Sequence, residues 1–400
     1  MASQHKHVAS PAFLLYLVCI SALLASVTQN IYSPIVPLLR DSFQVPLHFI
    51  NFSVSIFMFV LAIMQIVYGP LIDAKGGKKV LLPGILLSVA GALGCALTSS
   101  FTLFIVFRVV QAAGIAAIPL VASTTISELF EGTARGNAMS TYQTMLALAP
   151  AISPVAGAFI GEQAGYRGIF LFLVIISVIL FAMNLKYFPK RTEHRAVHAR
   201  GNSFHRYAFV FKSKWGQAIM AIGFIHYFIY FAFLVSLPII LADQYHLGLG
   251  LIGLLYLPTA VSTMLGSRLY KTVQQKMEQR TLLLLGSLLT AVCVILFAVT
   301  STISIVLLTM SAILYGVCSG LTMPTHTTLL ANEFEGNRGT AMGVYNLVRY
   351  MGMAAGPMAS SILLLTLSNL WLFLLFGVTF AVIVSVLAIR MNGKGDVSPS

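Results

Sequence analysis

The run Phe130-Glu131-Gly132-Thr133-Ala134-Arg135-Gly136-Asn137-Ala138-Met139-Ser140-Thr141-Tyr142 returns later as Phe334-Glu335-Gly336-Asn337-Arg338-Gly339-Thr340-Ala341-Met342-Gly343-Val344-Tyr345. From Arg135 and Arg338 onward the offset is 203 residues, and it carries Ser153-Pro154 onto Gly356-Pro357. Pro119 has a counterpart in Pro324. A chain written twice in the same direction is built from two like halves, each too apolar to stand in water. The repeat therefore predicts two six-helix bundles in parallel duplication, with a binding site where the halves meet, near the midplane of a bilayer.

Composition carries the reading outward from the repeat. The chain has 400 residues, of which 58% are hydrophobic and 9% charged, with a mean hydropathy of +0.90. Apolar runs of roughly 20 residues are long enough to cross a bilayer. Twelve such spans are expected near 12–36, 48–71, 79–98, 101–127, 137–161, 168–188, 216–241, 249–269, 281–299, 302–330, 340–366 and 369–391. They divide the chain into an N-terminal segment 1–11, a six-helix bundle 12–188, a cytoplasmic linker 189–215, a second bundle 216–391 and a tail 392–400. The fold class expected is all-α and integral to the membrane, with twelve transmembrane helices in two pseudo-symmetric bundles. Residues 1–10 carry His5, Lys6 and His7 but no short apolar core ending in a small-residue cleavage site, so the first span is expected to be retained.

The net charge of +13 suggests a nucleic-acid partner until the charges are placed. Of the 24 lysines and arginines, Arg40 and Arg167 fall in loops on one side and Arg108 and Arg349 inside spans. The remaining 20 fall on the other side. That asymmetry places both termini in the cytoplasm, makes the charge topological and leaves no reason to expect nucleic acid. Cys19, Cys95, Cys293 and Cys318 lie in four different spans, a pattern of buried packing rather than of a metal or disulfide framework. A membrane enzyme would need clustered acids or ligands on one membrane face, and none is visible.

Between spans 2 and 3 the sequence reads Gly69-Pro70-Leu71-Ile72-Asp73-Ala74-Lys75-Gly76-Gly77-Lys78-Lys79. Glycines permit a sharp turn, Asp73 is placed to cap a helix or pair with a cation, and the lysines hold the loop in the cytoplasm. The loop resembles the signature G-x-x-x-D-R-x-G-R-R-K of the major facilitator superfamily at Gly69, Asp73, Gly76, Lys78 and Lys79, with Ala74 and Gly77 replacing two basic residues. In span 4, Arg108-Val109-Val110-Gln111-Ala112-Ala113-Gly114 resembles the family's R-x-x-Q-G-x-G motif, with Ala112 for the first glycine. Helical spacing puts Arg108 and Gln111 on one face, roughly 10 Å below the outer surface, where a cation is costly. In span 5, Pro150, Ser153, Pro154 and Gly157 resemble the antiporter motif G-x-x-x-G-P-x-x-G-G. Span 1 ends in Gln29-Asn30-Ile31-Tyr32-Ser33-Pro34-Ile35-Val36-Pro37, similar to a stretch of the Bcr/CflA branch of drug:proton antiporters. Asn30 stands where that branch carries an acid.

All eleven acids fall in loops or at span ends, while Arg108, His226, His326 and Arg349 lie in spans. His226 and Arg349 are each about ten residues deep, roughly 15 Å and near the midplane. His226, Tyr230 and Phe233 share one helical face, and Tyr345, Arg349 and Gly352 another. With Asn30 and Tyr32, these residues form the expected cavity, suited to a flat or amphipathic solute with a neutral, zwitterionic or anionic head. The resemblance implies a multi-pass protein of the plasma (inner) membrane, a monomer that exports a small organic solute by proton antiport. No cofactor or metal is implied beyond a proton gradient. His226 is the expected coupling residue, because histidine ordinarily titrates near pH 6.5. The alternatives are Asp41 as the coupling residue, and an uptake carrier or uncoupled facilitator for an organic anion such as a carboxylate metabolite or siderophore.

Overall fold

The computed structural model describes residues 10–189, 209–334 and 338–392, with the side chains of Asp73, Arg338 and a few others outside the description. The ends 1–9 and 393–400, most of the expected linker 189–215, and Glu335 and Gly336 of the repeat lie outside these residues. Thirteen helices follow in order: α1 Pro11–Asn30, α2 Val36–Phe43, α3 Leu47–Lys75, α4 Gly77–Leu97, α5 Phe101–Ile115, α6 Ala117–Leu129 and α7 Gly132–Tyr187. They continue as α8 Lys214–Ile239, α9 Leu249–Val273, α10 Gln279–Thr300, α11 Ile305–Glu333, α12 Arg338–Leu363 and α13 Asn369–Asn392. No strand occurs among the described residues.

Among the described residues ten stretches are long and apolar enough to cross a membrane. Two of them, Pro11–Phe43 and Phe101–Leu129, each join a broken pair of helices, α1 with α2 and α5 with α6. A third, Asn137–Tyr187, is two crossings, because Gly165 breaks α7 with φ 64° and ψ −173°, a conformation that only glycine adopts readily. Only by counting α12, which is not among those ten stretches, do the crossings number the expected twelve. Leu97, Leu365 and Ile389 are at least two-thirds exposed, as side chains facing lipid must be.

The largest departure from the expected boundaries is span 1, which runs on to Phe43 instead of stopping near residue 36. Pro34 and Pro37 each lack an N–H, so the chain unwinds at Ile31 and Tyr32, makes a 3₁₀ turn over Ser33–Ile35 and re-forms as α2. That helix ends on Gln44 with φ 52°. Span 7 likewise continues past Pro238 into a π-helical turn, Ile240–Gln244.

The described residues divide into two compact units, one within Met1–Pro46 and Ile56–Ala199, the other within Leu47–Ser55 and Arg200–Ser400. The opening turns of α3 thus belong to the second unit, where Asn51 Nδ2 donates to Ser361 Oγ at 2.6 Å.

Candidate functional site

Each unit carries a cation-centred cluster, its arginine buried in the first and half-buried in the second. In the first, α5 presents Arg108 and Gln111 three residues apart, and both are 1% exposed. Arg108 Nη1 donates to Gln111 Oε1 at 2.7 Å. Its guanidinium carbon lies 3.9 Å from the Phe57 ring centre, 4.7 Å from Tyr32 and 5.8 Å from Phe170. Each ring face is worth about 0.5–2 kcal/mol to a cation out of water. Three aromatic faces and one charge-assisted hydrogen bond therefore stand where a buried carboxylate would ordinarily be needed. Among the described residues no acid pairs with Arg108, and its Nε has no partner.

Tyr32 reaches Arg108 from the turn between α1 and the 3₁₀ segment at Ser33–Ile35. Asn30 does not take the place of an acid: its Nδ2 donates to Ser26 O at 2.7 Å, within its own helix. Gly114 of the same motif has a packing role. A Cβ there would run into Ser88 N and Gly84 O, so glycine is what lets α5 lie against α4.

The residues 69–79 divide in their roles. Gly76 makes the turn, with φ 81° and ψ 155°, whereas a Cβ at Gly69 would meet nothing within 4 Å. The sharp turn expected of the glycines is thus made at Gly76, while at Gly77 a Cβ would stand 3.1 Å from Val121 Cγ1. Lys78 Nζ donates to Leu185 O at 2.8 Å and Phe188 O at 2.6 Å, capping the C-terminal end of α7 where the helix dipole is negative. Lys79 is exposed, and the Asp73 side chain lies outside the description.

The stretch around Pro150, Ser153, Pro154 and Gly157 stays helical within α7. Ser153 Oγ donates to Ala149 O at 2.5 Å. A Cβ on Gly157 would collide with the Ile31 carbonyl, so α7 packs tightly against the unwound end of α1. The second unit repeats this device with Gly352 and Gly356 of α12, which lie against the Phe224 and Phe228 carbonyls of α8.

The second cluster joins α8, α11, α12 and α13. His226 is 1% exposed and His326 fully buried, with ring centres 5.4 Å apart and planes at 87°. His326 Nδ1 and the Tyr345 hydroxyl share a hydrogen bond of 2.8 Å. Phe380 closes the other side of His226 at 6.3 Å. Arg349 is half-buried, its guanidinium carbon 5.3 Å from the Tyr227 ring and 5.1 Å from Tyr350. Both His226 nitrogens, His326 Nε2 and Arg349 Nε have no hydrogen-bond partner. Each such buried group costs about 1–3 kcal/mol, so this cluster is polar capacity held open against the fold's interest.

The helical face expected for span 7 is split by its neighbours. His226 meets α11 and α13, whereas Phe233 packs into the apolar core beside Phe297 and Tyr315. Tyr230 makes its ring contact with Phe231 at 5.8 Å and not with His226. The pairing of His226 with His326 had no signature in the sequence beyond each being a histidine inside a span. Cys293 and Cys318, distant in sequence, lie with sulfurs 3.6 Å apart between α10 and α11.

Comparison with known proteins places this geometry. The profile of the Major Facilitator Superfamily matches residues 18–357 and, overlapping, 273–397. A chloramphenicol resistance protein of Pseudomonas aeruginosa is 27% identical over 209 residues, covering 52% of this chain and 46% of that protein. Citrate exporter 1 of Aspergillus niger is 24% identical over 187 residues, covering 46% and 36%. The matched part thus spans less than half the length of these two relatives. A solved D-xylose-proton symporter superposes with a TM-score of 0.74 at 16% identity, covering 97% of this chain and all of the other, a likeness of fold alone. Ten apolar stretches among the described residues, a duplicated half and a profile match over most of the sequence lead to one conclusion: the chain belongs to the Major Facilitator Superfamily, as a multi-pass membrane protein.

Proposed function

We propose that the protein exports a small organic solute by proton antiport and alternating access, favouring neutral, zwitterionic or anionic compounds. The observation that carries this reading is a pair of cation clusters with no acid among the described residues, centred on the buried Arg108 and the half-buried Arg349. A lipophilic dication would meet uncompensated repulsion beside either guanidinium, whereas a carboxylate or a polarised neutral head meets donors and aromatic faces. Export is supported by the Pro150–Gly157 stretch with its close packing on α1, and by the likeness to a chloramphenicol resistance protein and a citrate exporter. The coupling residue is His226, held inside the membrane with both nitrogens unpartnered. The protein acts as a monomer in the plasma (inner) membrane with both termini cytoplasmic, and needs no cofactor besides the proton gradient.

The test is proton-driven flux in inverted vesicles across a panel of cationic, neutral and anionic compounds. His226→Gln abolishes accumulation on a pH gradient and leaves downhill exchange measurable, while Asp41→Asn, which alters an exposed carboxylate beside Arg40, changes neither. A His226→Gln protein that still concentrates solute refutes coupling through this residue. Transport confined to dications refutes the charge preference. A second reading, an uncoupled carrier of an organic anion, is favoured by Asn30, which cannot titrate. It predicts flux that follows the solute gradient and ignores pH.

A further inference from the structure

His226 and His326 are 100 positions apart in the sequence and on different helices, yet their rings meet edge to face at 5.4 Å. Three of their four ring nitrogens have no hydrogen-bond partner. The fourth, His326 Nδ1, is held by the Tyr345 hydroxyl. Glycine at position 223 of α8 makes that contact possible, since a Cβ there would stand 2.7 Å from the Tyr345 ring. Three helices and a glycine are thus arranged so that one histidine is oriented and the other is left open beside it.

The surroundings limit what this pair can hold. On α8 the neighbouring titratable group is Tyr227, whose ring is 5.9 Å from His226. On α12 they are Tyr345 and, beyond it, Arg349. From α13 the pair meets the neutral ring of Phe380, and that helix carries no charge before Arg390. On α11 the only acid is Glu333, seven residues and roughly 10 Å along the helix from His326, and it is paired with Arg280. Among the described residues no carboxylate is therefore at hand to neutralise two imidazolium charges, and α12 carries the further cation Arg349 beside Tyr227. One proton makes one ring an imidazolium set edge to face against a neutral imidazole 5.4 Å away. A second proton would put two cations side by side in a low-dielectric interior.

We propose that His226 and His326 form one proton-binding site that holds a single proton between them, with Tyr345 as the positioning residue that orients His326. This rests on the reading of His226 as the coupling residue and extends it to a pair. An anion held at Arg349 would favour the protonated pair and its departure the empty one, which links proton occupancy to solute charge.

The experiment is ¹⁵N NMR of the full-length protein labelled at histidine, reconstituted in lipid and titrated between about pH 5 and 8, with His226→Gln and His326→Gln spectra assigning the two rings. In wild type the two rings are expected to take up one proton in total over this range. In His326→Gln the midpoint of His226 is expected to move by about one pH unit or more. Two protons bound with equal midpoints, or a His226 midpoint unchanged in His326→Gln, overturns the shared site. Tyr345→Phe keeps the ring against Gly223 and removes only the hydroxyl. It is expected to change the His326 Nδ1 shift and tautomer in a protein that melts like wild type, and an unaltered His326 signal refutes the positioning role. Vesicle accumulation of solute is measured in parallel on the same variants. A pair that shares a proton in a protein whose transport ignores pH refutes the antiport reading and leaves the site standing. Loss of pH-driven accumulation in His226→Gln but not in His326→Gln overturns the pair and leaves His226 as the coupling residue.

Discussion

Gln111→Leu removes one atom from the Arg108 cluster and little volume. The lost interaction is the 2.7 Å hydrogen bond from Arg108 Nη1 to Gln111 Oε1, between side chains that are each 1% exposed. A hydrogen bond to a charged group contributes about 1.5–3 kcal/mol. The three ring faces around the guanidinium remain, so the cation is weakened in its box rather than expelled. For a cooperative unit of 150–250 residues, 1 kcal/mol corresponds to about 2–4 °C, so the midpoint in a fixed detergent should fall by roughly 3–12 °C. Gln111→Glu keeps an acceptor on Arg108 and should melt at or above wild type. A double-mutant cycle with Arg108→Met isolates the pair and should return a coupling of about 1.5–3 kcal/mol. A coupling near zero, or a Gln111→Glu protein as unstable as Gln111→Leu, would show that the aromatic box alone holds the arginine and that the glutamine is incidental.

Two further predictions concern packing. Gly356→Val drives a side chain into the Phe228 carbonyl and separates α12 from α8, costing about 1–3 kcal/mol. Gly343→Ala, on the same helix with nothing within 4 Å, is neutral or stabilising by up to about 1 kcal/mol, and thermal melts of the two variants should differ in sign or size accordingly. Treatment with copper phenanthroline should join Cys293 to Cys318, whose sulfurs are 3.6 Å apart, with loss of two hydrogens in the intact mass and a cross-linked α10–α11 peptide pair. Cys19 and Cys95 should stay reduced, and a protein that gains no Cys293–Cys318 link contradicts the placement of these helices.

The sequence by itself determined the class of protein and its plan. Apolar runs long enough to cross a bilayer, lysines and arginines gathered on one side, and a run repeated 203 residues apart are local or periodic signals, legible one span at a time. Arg108 with Gln111 was readable for the same reason, since three residues on a helix is a contact that spacing alone specifies. The surroundings of that arginine were not readable. Phe57 and Phe170 come from α3 and α7, and Tyr32 from the turn between α1 and the 3₁₀ segment. Lys78 reads as one more topological charge until the end of α7 is seen beneath it. The pairing of His226 with His326 and of Cys293 with Cys318 joins helices far apart in the chain. Membrane helices that are apolar on every side carry no stripe to say which face meets which neighbour. That choice is made by small residues such as Gly223, Gly352 and Gly356, whose meaning is the backbone or ring that fills the space they leave, and only the tertiary structure supplies it.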